Sequence, residues 1–343
     1  QLFALAQTLA QRIPLAPAPL SKADRGYRLW QQLPAAPVKA APIPLAANAA
    51  PADAFRTIAL ACLDHLQQNH LGALACDSAD PEYIHQMRIS TRRLRAALRL
   101  FGPHLPDGLA AVLLPPLREL MAVLGPARDL DVLLAEIATP VLAALPDEPR
   151  LAALVGIITE RRFVVRQEAM RFMRSPRYGS IILQTLATLH GQPEAIADTK
   201  VGAGGTAHTL LEFAQNRLRR LRKNVLALVK QTRVDNPSSL HALRIDIKRL
   251  RYALEFFTPL ASPKALRRML LHLTRLQDAL GQINDLASAG ELLMVCADDD
   301  PRLREAVTLI GGWHGPRHHK LLKAVPAGLK QLGRLRLPKL SAA

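Results

Sequence analysis

His85-Gln-Met-Arg-Ile-Ser-Thr-Arg-Arg-Leu-Arg-Ala-Ala-Leu-Arg-Leu-Phe101 returns 156 residues later as His241-Ala-Leu-Arg-Ile-Asp-Ile-Lys-Arg-Leu-Arg-Tyr-Ala-Leu-Glu-Phe-Phe257, with 9 of the 17 positions identical. Both copies are rich in Leu, Ala and Arg, good helix formers, and their apolar residues recur every three or four positions. Met87, Leu94, Leu98 and Phe101 gather on one helical face, as do Leu243, Leu250, Leu254 and Phe257 in the second copy. At the same offset Leu124-Gly125-Pro-Ala-Arg-Asp129-Leu130 aligns with Leu280-Gly281-Gln-Ile-Asn-Asp285-Leu286. Two separate matches at one spacing predict an internal duplication, and with it an all-α protein of two pseudo-symmetric helical bundles.

The polar side of these helices carries the functional signal. His85, Arg88, Arg92, Arg95 and Arg99 fall within about 80° of arc, a basic stripe about four turns long. His241, Arg244, Lys248 and Arg251 take the equivalent stripe. Arg93 and Arg249 sit off the stripes and are expected to rim the site or to bind carboxylates. Like charges three and four residues apart cost a helix a few tenths of a kcal/mol per pair. Glu255 relieves some of this in the second copy, where Arg99 stands in the first. A stripe built against local stability and retained in both halves predicts an external anion as its partner.

Composition agrees. The 343 residues hold 45 Lys+Arg against 28 Asp+Glu, a net charge of +17. A field of that sign attracts phosphate-rich partners or an anionic surface. Hydrophobic residues at 49% are enough for a sizeable core, and aromatic residues are only 4%. Cys62, Cys76 and Cys296 form no Cys-x-x-Cys pair, which excludes a disulfide framework or a cysteine zinc site and predicts a reducing, cytoplasmic setting. No uninterrupted apolar run approaches the length of a membrane span.

Along the chain, residues 2–13 predict a short amphipathic helix on Leu2, Leu5, Leu9 and Ile13, within a helical tail of residues 1–30. Residues 31–51 form an Ala/Pro-rich linker whose Pro34, Pro37, Pro42, Pro44 and Pro51 favour an extended chain. Residues 52–335 read as the helical domain, its halves about 52–191 and 206–335, divided by Pro193, Gly202, Gly204 and Gly205. The chain begins within a helix and so reads as part of a longer protein.

Further basic runs, Arg161, Arg162 and Arg166 in the first half and Arg217, Arg220 and Lys223 in the second, with Arg317, His318 and Lys320 near the end, are secondary candidates for the same surface. Neighbouring arginines should disfavour protonation of His85 and His241, while a bound polyanion should favour it. No metal is expected: the stripes lack a second ligand at i+4, and His314 and His318 have no acidic partner. Asp129 and Asp285 follow a glycine where one helix is expected to end and another to begin. They are read as caps or as ion-pair partners of motif arginines.

The His-x-x-Arg-x-x-x-Arg-Arg-x-Arg pattern at 85–95 and the Leu-Gly-x-x-Arg-Asp-x-Asp pattern at 124–131 resemble the CHAD family of histidine-containing α-helical domains. The likeness extends over roughly residues 52–335, with Lys248, Asn284 and Ala287 departing from it in the second copy. The resemblance implies a pair of helical bundles that binds inorganic polyphosphate, often at polyphosphate granules, with His85, Arg88, Arg92, Arg95, His241, Arg244, Lys248 and Arg251 facing the ligand. Ser21-Lys-Ala-Asp-Arg-Gly-Tyr27 is similar to the tail of a CYTH triphosphate-tunnel domain, whose catalytic Glu-x-Glu-x-Lys signature does not occur in this sequence. No cofactor and no enzymatic activity are therefore expected. Two alternatives stand beside polyphosphate. Nucleic-acid backbone binding fits the charge, but Tyr252 is the one aromatic beside a stripe and single-stranded binders stack bases on several. A phosphotransfer or phosphohydrolase reaction on His85 or His241 would lack both a carboxylate cluster for Mg²⁺ and a glycine-rich phosphate loop.

Overall fold

The computed structural model describes residues 2–32, 36–75, 80–191 and 209–341. They form α1 (Leu2–Ala10), α2 (Lys22–Trp30), α3 (Pro51–Leu74), α4 (Pro81–Phe101), α5 (Leu109–Val132), α6 (Thr139–Ala144), α7 (Pro149–Met173), α8 (Pro176–His190), α9 (Leu210–Gln231), α10 (Pro237–Phe256), α11 (Pro263–Ala297) and α12 (Pro301–Arg334). The protein is all-α, and among the described residues no strand forms beyond one isolated antiparallel bridge, Ala261–Leu340. Prolines set the helix starts: α3, α4, α8, α10, α11 and α12 each carry one in the first turn. There the missing N–H has no intrahelical partner to lose, and the fixed φ is already helical.

Two compact units emerge. The first comprises Gln1–Pro44, Ala49–Asp129 and Phe163–His208, and the second Leu45–Asn48, Leu130–Arg162 and Thr209–Ala343. The break expected around Pro193 and Gly202–Gly205 lies outside the described residues, as does Pro34.

In the first unit α4 packs along α3, and α8 receives α1. Met87 and Phe101 are fully buried, and Leu94 and Leu98 nearly so, on the face the periodicity assigns to the core. In the second unit α10 packs between α9 and α11, and α11 against α12, with Leu243, Leu250, Leu254 and Phe257 fully buried.

The Ala/Pro tract is extended, as its prolines dictate, but it is fastened to the bundle. The Val38 N–H donates to Asn69 Oδ1 (2.9 Å), and the Val38 carbonyl accepts from Asn69 Nδ2 and His65 Nε2 (both 2.9 Å). His65 Nε2 also reaches Gln86 Oε1 at 3.0 Å, which ties the tract to α4. Burial holds the His65 imidazole below its ordinary pKa, so this buried ring is neutral at pH 7.

Two expectations need correction. The first helix ends at Ala10 rather than Ile13, because Pro14 forces the residue before it out of the helical region. Gly125 and Gly281 lie inside α5 and α11, so no helix breaks there. A Cβ on Gly125 would meet Arg88 Nη1 at 3.4 Å and one on Gly281 would lie 3.9 Å from Arg244 Nε, both ordinary contact distances. The helical stretch Leu109–Ala144, 36 residues, holds an 18-residue window with a mean hydropathy of 1.4, long and apolar enough to cross a membrane by length and composition. Arg118, Glu119, Arg128, Asp129 and Asp131 interrupt it. Its Leu113, Leu117, Leu120, Leu124 and Ala127 are buried at helical spacing, the pattern of a core helix with one inward face.

Candidate polyanion-binding groove

α4 begins on Asp80, whose side chain accepts the Glu82 N–H, with Pro81 in the first turn. With one face in the core, the basic stripe is turned away from it, and α5 runs back along that side. Arg88 is the join. Its side chain is only 8% exposed, and its Nη1 donates to the carbonyls of Leu124 (3.3 Å) and Gly125 and pairs with Asp129 Oδ1 at 3.2 Å. Through these bonds to the α5 backbone and to Asp129, Arg88 locks α5 in register against α4.

That register gathers positive charge. At one end of the stripe His85 lies near Arg128, Arg92 and Arg88; further along, Arg95 lies near Arg99, Arg118 and Arg92. Arg92 makes no ion pair or hydrogen bond among the described residues, and Arg95 Nε is buried without a partner there. Asp129 is the carboxylate paired with the stripe, and it serves Arg88. The groove therefore draws Arg92, Arg95, Arg99, Arg118 and Arg128 together along two helices, an excess of positive charge held in place by the packing. Burial, then the charge of Arg99 and Arg118, pushes the Arg95 guanidinium below its ordinary pKa.

His85 follows the same physics. Burial first, then Arg128, lowers its pKa against an opposing pull from Glu82. The ring is thus held toward its neutral form, and a phosphate placed beside it would favour the cation. Binding should take up a proton, so affinity should rise as pH falls through the window between the free and bound pKa values and stay flat above it. Each unit by which phosphate raises that pKa is worth about 1.4 kcal/mol. Titrations from pH 8 to pH 5.5 should show this rise in the unaltered protein and a reduced rise in His85→Gln.

In the second unit the equivalent helix, α10, is more nearly neutralised. Arg251 donates through Nε to Gln277 Oε1 (2.7 Å) and pairs through Nη1 with Glu255, and Arg249 pairs with Asp246 at 2.7 Å. His241 Nδ1 donates to Asn284 Oδ1 at 2.9 Å, which orients the ring. Lys248 and Arg251 lie over the buried Tyr252 ring, 5.9 and 5.0 Å from its centroid. Arg244 sits on Gly281 as Arg88 sits on Gly125, yet Asp285 makes no ion pair with it, and Arg244 Nε is buried without a partner among the described residues.

The remaining candidates scatter. Arg93 turns toward Cys62 and His65 on α3, away from the groove. Arg162 is taken up by the buried Asp131 (Nε–Oδ1 2.6 Å), and Arg161 lies near Cys296. Arg166 lies on α7, Arg217, Arg220 and Lys223 on α9, and Arg317, His318 and Lys320 on α12. Arg317 donates to Gln282 at 3.1 Å. His314 bonds the Ile137 carbonyl at 2.9 Å, a structural use for a residue considered for metal. Among the described residues no group of three or more His, Cys, Asp or Glu could hold a metal ion.

Arg118 and Arg128 join the groove without having been candidates. Arg128 stands in the Leu-Gly-x-x-Arg-Asp pattern itself. Arg118 precedes Gly125 and Asp129 by seven and eleven residues, two and three helical turns, so all three share one face of α5. That spacing was the available signal.

The described residues are thus all-helical, and a buried arginine docks α5 on α4 beside a row of guanidinium groups. Comparison with known proteins places it: the profile of the CHAD domain matches residues 57–294, and the chain belongs to the CHAD domain family. The crystal structure of the CHAD domain from the plant Ricinus communis is 34% identical, with a TM-score of 0.74, over 89% of this chain and 99% of that one. PptA from Streptomyces chartreusis shares the fold at 16% identity and a TM-score of 0.57, over 84% of this chain and 100% of that one. No curated protein matches the chain.

Proposed function

We propose that the chain binds inorganic polyphosphate in the α4–α5 groove and is a binding module rather than an enzyme. One observation carries the reading: Arg92, Arg95, Arg99, Arg118 and Arg128 are held along two helices, and Asp129 beside them is committed to Arg88. A stripe about four turns long spans about 20 Å, room for a row of phosphates, and guanidinium groups bind phosphate oxygens through paired donors. α10, with His241, Arg244 and Lys248, supplies weaker contacts of the same kind. The protein would then reside in the cytoplasm and associate with polyphosphate granules.

A neutral His85 among guanidinium groups is suited to donate one hydrogen bond to a phosphate oxygen. Nucleophilic attack would instead call for a base or a metal to organise the phosphoryl group. Nucleic acid would use the same phosphate contacts without base readout.

The test is a competition titration at fixed salt, long-chain polyphosphate against tripolyphosphate, ATP and DNA. Long-chain polyphosphate should bind most tightly, its affinity should fall steeply with added salt, and no phosphate should be released with Mg²⁺ or Mn²⁺. DNA binding tighter than polyphosphate, a flat salt dependence, or turnover abolished by His85→Ala would each contradict the reading.

A further inference from the structure

Where α11 begins, a second cluster of cations surrounds a cavity of about 490 Å³, a size suited to a small molecule rather than to a long chain. Lys264 and Arg268 come from the first turns of α11, and Arg334 and Arg336 from the end of α12 and the segment after it. None of the four makes an ion pair or hydrogen bond among the described residues. The floor is apolar, with Met269 buried and Leu337 half-buried.

The walls are fixed before any ligand arrives. Arg222 Nη2 donates to the carbonyls of Leu335 (2.7 Å) and Gly333 (3.4 Å), which holds the end of α12. The Ser262 N–H donates to the Lys339 carbonyl (3.0 Å) and the Ser341 N–H to the Leu260 carbonyl (2.9 Å), pinning the last residues beside the start of α11. α11 has no acidic residue in its first turn, and Ser262 makes no side-chain cap bond. The leading N–H groups of a 35-residue helix thus add to the positive potential of the four side chains.

We propose that this cavity binds a nucleoside triphosphate-type ligand, phosphates on Lys264, Arg268, Arg334 and Arg336 and an apolar ring against Met269 and Leu337. A bare phosphate chain would use the cations but gain nothing from the floor. An uncharged nucleoside would use the floor but leave four cations unanswered. The site lies on α11 and α12 and is independent of the α4–α5 groove.

The test is direct binding of ATP, with adenosine and tripolyphosphate as comparators, to the unaltered chain and to two kinds of variant. Arg268→Ala with Arg334→Ala removes exposed side chains, and Ala265→Glu puts a carboxylate beside the same cavity without deleting a cation. ATP should bind saturably and more tightly than either comparator. Either cavity variant should weaken it at least tenfold, while Arg92→Ala with Arg95→Ala should change it less than twofold. Long-chain polyphosphate measured on the same proteins should show the opposite pattern, so loss of one reading does not remove the other. Absence of saturable ATP binding, tripolyphosphate binding as tightly as ATP, no effect of the cavity variants, or loss on the groove pair would each overturn the proposal.

Discussion

Arg92→Ala, Arg95→Ala and Arg128→Ala in one protein should lower the affinity for long-chain polyphosphate about a hundredfold, from about 1 kcal/mol for each guanidinium–phosphate hydrogen bond removed. The salt dependence should become shallower as well, because each cation removed releases one fewer counterion on binding. The fold should survive. Arg92 makes no ion pair or hydrogen bond among the described residues, and Arg95 and Arg128 stand beside other cations, so their removal relieves repulsion. A melting temperature equal to or above that of the unaltered protein, together with the weakened binding, is the expected signature. A fall in melting temperature with affinity unchanged would mean that the groove serves the fold.

Arg88→Ala should behave in the opposite way. That guanidinium is buried and commits its donors to the Leu124 and Gly125 carbonyls and to Asp129. Its loss should cost about 2–3 kcal/mol of folding stability through broken charge-assisted hydrogen bonds and the space left behind. The deficit is smaller than for a fully buried ion pair because Asp129, 61% exposed, can return to water. Binding should weaken only insofar as α5, with Arg118 and Arg128, loses its register. Denaturant unfolding and polyphosphate titration on the same sample separate the two effects. Unchanged stability in Arg88→Ala would contradict the positioning role.

The contrast between Arg88 and Arg92 shows where reading the sequence stops. Both occupy the same stripe of the same helix, and nothing local distinguishes them. The difference lies in the α5 backbone, whose Gly125 carbonyl, 37 residues beyond Arg88, accepts from one of them and not from the other. The core faces of α4 and α10 were legible because a period of 3.6 residues needs no partner to be recognised. The two glycines misled because a glycine marks a helix end only by tendency, and α5 and α11 continue through theirs. Glu255 was read as relieving the charge on α10, and its pairing with Arg251 agrees. The cavity at α11 could not be read at all, since Arg268 and Arg336 meet only through the path of α12 and the segment after it.

The measurement that bears most directly on the central claim is a crystal structure of the chain soaked with a polyphosphate of defined length. Phosphate density should run along the α4–α5 groove, with oxygens within hydrogen-bond reach of Arg92, Arg95 and Arg128 and with Arg88 still bound to the Gly125 carbonyl. Density confined to other basic surfaces, such as α9 or the cavity at the start of α11, with the groove empty, would contradict the account.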